Sequence, residues 1–304
     1  MRGTSMSTPI VAGNAALIRE YFTKGFYPSG AASSKDAFVP SGALLKAMLI
    51  HSSRALAYSV SSDSSGHYAA SSLASDIYPT NLQGFGRIQL SNILPFADSR
   101  SSSLTLFVVG AADSGSSNYK ALRNGESEKH IFYTTADAIQ PSIRITLVYT
   151  DYPGSSGSSK PLVNDLNIVV VDNSGAVLHR PQSYVQGQAD INNVEMILIN
   201  NPLSSTTYTV VVSSGNTLAY LQPYALVMTG QITPVRMRRI RTFAASVKHY
   251  FQYPNLSIGL AFCAFASMLI FSSFICMHFN RVNQIKAERK GAVISIRRVR
   301  APNV

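Results

Sequence analysis

The chain has 304 residues and 46% hydrophobic residues, enough for two compact domains with further segments. Its net charge of +11 is uneven: residues 1–100 carry eight basic and five acidic side chains, residues 101–231 six and nine, and residues 232–304 twelve and one. Because the basic excess lies at the end of the chain, the charge argues against nucleic acid as a partner. The two cysteines, Cys263 and Cys276, lie in one apolar run, so the sequence shows no disulfide framework and indicates no redox compartment.

The first predicted element is a helix over residues 5–22 that follows a tight turn. Gly3 permits a sharp backbone bend, and Thr4 or Ser5 is expected to cap the helix. Pro9 is expected in about the first turn, where a missing N–H costs least. A serine at such a helix start faces free backbone N–H groups and the positive end of the helix dipole. That environment suits a nucleophile and an oxyanion.

Residues 3–13, which read Gly-Thr-Ser-Met-Ser-Thr-Pro-Ile-Val-Ala-Gly, resemble the nucleophile motif of the subtilisin-like serine proteases position for position. In that family the serine at the position of Ser5 attacks the scissile carbonyl, so the resemblance implies that Ser5 is catalytic. The alternative is a helix start that merely contains a serine. Residues 10–17 are apolar or small nearly all round, as is typical of a helix buried in a larger core.

Two more predicted helices follow. Ser41 is expected to cap a helix over residues 43–52, and a glycine turn at residues 84–86 leads into a short helix ending near Leu94. The Ser-rich residues 54–82 between them are interpreted as a surface excursion. In this order, the pieces resemble the last third of an α/β subtilisin-like catalytic domain, which we assign to residues 1–97.

From residue 104 to residue 230 the apolar residues recur with a period of two, as in strands. The alternating sets are Ile143, Ile145, Leu147 and Tyr149; Leu166, Ile168 and Val170; Val194, Met196 and Leu198; Tyr208, Val210 and Val212; and Tyr224, Leu226 and Met228. Turn residues separate the runs, so we predict an all-β sandwich or jelly roll over residues 98–232. The strings around Asp151, Asn164 and Glu195 are similar to the β-domain that follows the catalytic domain in some subtilases.

The last part of the chain predicts a membrane anchor. Residues 233–253 form a basic linker, and residues 256–279 contain no formal charge if His278 is neutral. At about 1.5 Å per residue such a helix spans a hydrocarbon core of about 30 Å. We therefore predict a transmembrane helix over residues 254–279. Seven basic residues follow this span and five precede it, which favours residues 280–304 as a basic cytoplasmic tail. The resemblance to the subtilases implies the same orientation, with the protease and β-domain extracellular or lumenal.

The groups that would activate Ser5 are not found in the sequence. Subtilases supply an Asp motif and a His-Gly-Thr motif ahead of the serine, but four residues precede Ser5 and no His-Gly pair occurs. Asp113-Ser114-Gly115 matches the Asp motif only superficially, since it follows the serine, and we interpret it as a turn. We expect the activating groups, and the parallel sheet that packs on the first helix, to be encoded ahead of residue 1. This chain alone is then expected to be inactive and to expose apolar surface.

No cofactor is expected to be required, but structural Ca²⁺ is considered. Candidate oxygen ligands in loops of the β-domain are Asp151, Asn164, Asp165, Asp172 and Asp190. Such residues are also common turn formers, and this alternative stays open.

The leading hypothesis is a membrane-anchored subtilisin-like serine endopeptidase, present here as a C-terminal portion. Its partners would be a peptide or protein substrate and the lipid bilayer. The alternative is a non-catalytic, membrane-tethered β-sandwich binding protein derived from a subtilase, with residues 1–97 as a relic.

Overall fold

The helices predicted from the sequence are present in the computed structural model: α1 (Thr4–Thr23), α2 (Gly42–Ser52) and a short 3-10 helix (Leu90–Asn92). The Ser41 hydroxyl accepts a hydrogen bond from the Leu44 N–H at 3.1 Å, which confirms the predicted cap of α2. The residues that the structure describes are 3–62, 68–72, 79–80, 83–98, 104–136, 142–181, 191–217, 221–235 and 242–243. All of them belong to one compact unit, Met1–Lys248.

Thirteen strands occur in the described residues. They are β1 (Tyr58–Ser62), β2 (Tyr68–Ser72), β3 (Thr105–Val109), β4 (Ala121–Leu122), β5 (Glu126–Thr134), β6 (Ile143–Tyr149), β7 (Asn164–Val171), β8 (Val177–His179), β9 (Val194–Ile199), β10 (Thr207–Thr217), β11 (Gln222–Gly230), β12 (Ile232–Val235) and β13 (Thr242–Phe243). The five alternating runs of the sequence coincide with β6, β7, β9, β10 and β11, so the prediction of a β-rich region is confirmed. The predicted excursion contains an antiparallel pair, β1 and β2.

The strands β3 to β13 form two antiparallel sheets. The first has the order β12-β5-β10-β7-β8, with β13 also paired to β5. The second has the order β3-β11-β6-β9, with β4 also paired to β11. Side chains from both sheets make one hydrophobic cluster, in which Phe132 and Val210 from the first sheet join Leu147 and Leu226 from the second. The two sheets therefore share a core.

The second sheet is covered on its other face as well. Val148, Ala225 and Val227 pack in a second cluster with residues of α1 and α2, including Phe22 and Leu44. Strands β6 and β11 are consequently buried on both faces, although their period-two pattern predicts one buried face. The reason is that α2 lies against both strands, which small or branched residues at the alternate positions allow.

Gly110 lets α2 approach the sheet closely. Its φ of 134° lies in a region that favours glycine, and an added Cβ would stand 2.8 Å from the Ala225 Cβ and 3.1 Å from the Leu44 Cβ. The Gly110 carbonyl accepts a hydrogen bond from the Ser41 N–H at 2.9 Å. A side chain at residue 110 would therefore separate the start of α2 from β11.

Within the described part of the chain, no helix combines the length and the apolarity needed to cross a membrane. The predicted transmembrane helix at residues 254–279 and the tail at residues 280–304 lie outside the described residues, as do Asp190 and most of the linker at residues 233–253. The predicted boundaries between domains stay predictions.

Candidate active site

Ser5 lies in the first turn of α1 and is exposed to solvent. The residue that caps this helix is Gly3, with a φ of 131° and no side-chain hydrogen bond, so the prediction that Thr4 or Ser5 caps the helix is wrong. The cause is the bend: Gly3 adopts a backbone conformation open to glycine, and the helix begins one residue earlier than predicted. The Ser5 hydroxyl therefore does not cap the helix.

Pro9 lies inside α1, in its second turn. Because proline has no N–H, the carbonyl of Ser5 receives no hydrogen bond from residue 9 within the helix. The Thr8 hydroxyl donates to the neighbouring Thr4 carbonyl at 2.9 Å, which satisfies one of the carbonyls of this turn. The start of α1 thus holds Ser5 on a helical backbone whose local hydrogen-bonding pattern is incomplete.

The environment of Ser5 favours negative charge. The first helical hydrogen bonds run from the Met6 and Ser7 N–H groups to the Gly3 carbonyl, at 3.0 and 3.3 Å. The N–H groups of Thr4 and Ser5 have no partner within the helix, as is general for a helix start. No acidic residue lies in this turn. Backbone donors and the helix dipole can therefore stabilise an oxyanion beside the hydroxyl of Ser5.

The described histidines are engaged away from Ser5. His51, at the end of α2, is buried, and its two ring nitrogens lie 2.8 Å from the hydroxyls of Thr146 and Thr229. Burial, with a smaller effect of the nearby Arg144, holds the pKa of His51 well below its usual range. His51 is therefore a neutral structural residue at pH 7.

His130 lies on β5 in the shared core, and His179 lies on β8. Burial lowers the pKa of His130 to about 4, although the Glu128 carboxylate opposes this shift. Among the described residues, no histidine is hydrogen-bonded to Ser5. The start of α1 supplies the Ser5 hydroxyl and backbone N–H donors. None of the described histidines is placed to act as its general base.

The Asp113 string is a turn, as predicted. The carboxylate of Asp113 accepts the Gly115 N–H at 2.9 Å, and its carbonyl accepts the Ser116 N–H at 3.1 Å. This is the local bonding by which aspartate stabilises turns, so Asp113 has a structural reason for its position.

The described calcium candidates also bond to neighbouring groups of the chain. The carboxylate of Asp151 accepts the N–H groups of Tyr152, Val163 and Asn164 at 2.7 to 2.9 Å. Asp172 accepts from Ser174 and Ala176, and these bonds hold the pKa of its carboxyl below the usual value. Asp165 accepts from the Asn167 amide at 2.9 Å.

Asn164 is fully buried, and its amide donates to Gln222. Over the residues the structure describes, no group of three or more His, Cys, Asp or Glu side chains is placed to hold a metal ion. Calcium binding stays a prediction.

The strings that carry the β-domain resemblance meet in a buried polar network. Gln222 Nε2 donates to the Thr150 carbonyl at 2.9 Å, and the Tyr149 hydroxyl donates to the Asn164 carbonyl at 3.0 Å. Glu195 is 1% exposed, and its carboxylate accepts the Ile168 N–H at 2.7 Å. These residues join β6, β7, β9 and β11, so their role in the structure is to connect the two sheets.

A second polar cluster was missed at the sequence level. Glu128 accepts from Lys120 at 2.7 Å and from the Tyr224 hydroxyl at 3.1 Å, and His130 lies 3.4 Å from that hydroxyl. The signal was available, because residues 128, 130 and 132 share one face of β5 and Phe132 is an obvious core residue. A charged residue on the same strand face as a core phenylalanine is expected to be buried and therefore to have a partner of opposite charge.

Comparison with known proteins supports the resemblance of residues 3–13 to the subtilisin-like serine proteases. Residues 1–86 match the model of the subtilase family. The chain is similar to two proteins of Dictyostelium discoideum. It is 28% identical over 256 residues to serine protease/ABC transporter B family protein tagB, and 30% identical over 243 residues to the corresponding protein tagA.

Each comparison covers 75% of this chain, and 13% of tagB or 12% of tagA. This chain therefore spans about an eighth of the length of the relatives it matches. An alignment of 243 residues is longer than the region of the family match, so the similarity extends into the β-rich region. The findings support a relationship to subtilisin-like serine proteases.

Proposed function

We propose that this chain carries the nucleophile of a subtilisin-like serine endopeptidase, and that this nucleophile is Ser5. The observation that carries the proposal is the exposed hydroxyl at the start of α1, inside the motif of residues 3–13 and within the region that matches the subtilase family. In the reaction, a general base takes the Ser5 proton while the oxygen attacks the peptide carbonyl. The proton then passes to the leaving amine, and water releases the acyl group.

The base and its orienting carboxylate are proposed to come from residues encoded ahead of residue 1. The surface of α1 supports this arrangement, since Met6, Ile10, Val11 and Leu17 are 40 to 64% exposed. A helix with so much uncovered apolar surface is suited to a larger core. Further elements of a catalytic domain would cover that surface and bring a histidine beside Ser5.

Labelling with a fluorophosphonate probe tests this proposal. The 304-residue chain by itself is expected not to react, and the natural protein that contains it is expected to react at Ser5. The variant Ser5→Ala should abolish the adduct, whereas the matched control Ser7→Ala should retain it. Fragmentation of the peptide spanning residues 3–19 in the mass spectrometer shows whether the adduct is on Ser5 or on Ser7.

Two outcomes would contradict the proposal. An adduct on Ser7 would move the nucleophile, and efficient labelling of the isolated chain would place a general base within these 304 residues.

The alternative is a non-catalytic β-sandwich binding protein. It is favoured by the core that the two sheets already share and by the engagement of His51 and His130 away from Ser5. In that case the natural protein would not react with the probe, and Ser5→Ala would leave its binding properties unchanged.

We also propose that residues 254–279 anchor the protein in a membrane, with the β-domain outside or in a lumen and residues 280–304 in the cytoplasm. The uncharged run in the sequence supports this, and the names of both relatives include an ABC transporter. The protein is expected to remain in the membrane pellet after extraction with alkaline carbonate. Release into the supernatant would exclude the anchor.

A further inference from the structure

A cavity of about 390 Å³ lies at the C-terminal end of α2, where it meets one end of the second sheet. Its volume is in the range of sites for small molecules. The lining includes two arginines, Arg54 and Arg144, the amide of Asn92, and the apolar side chains of Ile93, Leu104 and Leu198. None of these residues belongs to the Ser5 site, so the cavity is separate from that site.

Among the described residues of this lining, the charged ones are both arginines, Arg54 and Arg144. Arg144 Nη1 donates to the carbonyls of His51 and Ser53, each at 2.7 Å. These carbonyls belong to the C-terminal end of α2, whose dipole is negative, so they offset part of the Arg144 charge. Arg54 is exposed, and its charge is the principal positive charge at the cavity.

His51 adds no charge to the cavity at pH 7. Both of its ring nitrogens are bonded to threonine hydroxyls, and burial keeps its pKa well below the ordinary value. The described lining of the cavity is therefore positively charged, which suits a ligand with a negative charge.

Asn92 provides a neutral donor. Its Nδ2 atom is buried and has no hydrogen-bond partner among the described residues, although buried polar atoms are nearly always bonded. An acceptor within the cavity would satisfy it. The apolar part of the lining is formed by Ile93, which is buried, and by Leu104 and Leu198, which are partly exposed.

We propose that this cavity binds a small carboxylate that carries an apolar chain. The carboxylate would accept hydrogen bonds from Arg54 and Asn92, and the chain would pack against Ile93, Leu104 and Leu198. An ionised acceptor makes stronger hydrogen bonds than a neutral one, and the apolar residues select a hydrocarbon chain over a fully hydrated anion. This site is independent of the proposed protease function.

Titration of the 304-residue chain with hexanoate and with hexanamide at pH 7, by calorimetry, tests the proposal. The two probes have the same chain and differ in charge. Hexanoate is expected to bind at least about tenfold more tightly, because it makes charge-assisted hydrogen bonds. Equal affinities, or no saturable binding of hexanoate, would overturn the proposal.

Variants locate the binding site. Arg54→Ala is expected to weaken hexanoate binding at least about tenfold, and Arg54→Lys, which keeps the charge, should lose less. Asn92→Ala should weaken it by a smaller factor. The matched control is Arg87→Ala, because Arg87 is exposed, is paired with Arg54 only through the backbone, and does not line the cavity. An equal loss in Arg87→Ala would indicate nonspecific charge attraction and overturn the site.

Two further probes distinguish the sources of such a carboxylate. N-acetyl-leucine represents the C-terminus of a peptide, and octanoate represents a free fatty acid. Tighter binding of N-acetyl-leucine than of hexanoate would assign a peptide terminus. Tighter binding of octanoate would assign a fatty acid. Either result supports the carboxylate site if Arg54→Ala abolishes the preference, and persistence of the preference in that variant would overturn it.

Discussion

The N-terminal half of α1 and the core shared by the two sheets differ in how their apolar residues are covered. Ile10 in α1 is 64% exposed, whereas Phe132 and Leu226 in the shared core are fully buried. Both regions are rich in apolar residues, so composition does not separate them. What separates them is the presence of packing partners among the described residues: the sheets cover each other there, while α2 and nearby loops cover α1 near its C-terminal end. Stability should therefore depend on the sheets, and Ser5 belongs to the region that contributes little.

The largest expected effect is the loss of a core side chain. Phe132 stacks on Tyr208 with ring centroids 5.6 Å apart, and Phe132→Ala should reduce the free energy of unfolding by about 3–5 kcal/mol. The matched control Ile10→Ala removes an exposed side chain and should change it by less than about 0.5 kcal/mol. Urea unfolding followed by tyrosine fluorescence is suitable, because the chain has no tryptophan. Similar losses in both variants would show that α1 is packed as tightly as the sheets.

The second effect is a pH dependence that originates in the shared core. His130 contacts Phe107 and lies beside Tyr224, and burial depresses its pKa from 6.5 to about 4. As the pH falls from 6.5 to about 4, the unfolded chain binds a proton at His130 that the folded chain does not. The free energy of unfolding is therefore highest, as far as His130 is concerned, above pH 6.5. It falls by about 3 kcal/mol as the pH is lowered towards 4.

The variant His130→Gln removes this titration. Its free energy of unfolding should fall less between pH 7 and pH 4.5 than that of the unchanged chain, in parallel urea titrations. His51, whose pKa is also depressed by burial, should sustain part of the pH dependence in both proteins. An identical pH dependence would mean that His130 is solvated in the folded state.

The smallest effect concerns the helix caps. The Ser41 hydroxyl bonds the Leu44 N–H at the start of α2, and Ser41→Ala should cost about 1 kcal/mol. Thr4→Ala at the start of α1 should cost less than about 0.5 kcal/mol, because α1 is capped by Gly3 without a side-chain bond. Thermal unfolding of the two variants measures the difference. A larger loss for Thr4→Ala would reverse the ranking of the two helix starts.

The sequence predicted the elements with strong local signals. The cap at Ser41 and the period-two runs of β6 and β11 were identified because each depends on residues close together in the chain. Strand β5 was not predicted, since Glu128, Lys129 and His130 conceal its alternation. The alternation itself places Glu128 and His130 on the buried face of Phe132, with Lys129 exposed. The partners of Glu128, which are Lys120 and Tyr224, were decided by the tertiary structure.

For the candidate site, sequence by itself determined the motif around Ser5, because a glycine bend, a serine and a helix are a local arrangement. It also determined the alternation that builds the sheets. Only the tertiary structure decided that α2 covers the second face of β6 and β11, that Arg144 caps α2, and that Arg54 and Asn92 meet at one cavity. These contacts join residues tens of positions apart, and their energies depend on which surfaces the folded chain brings together.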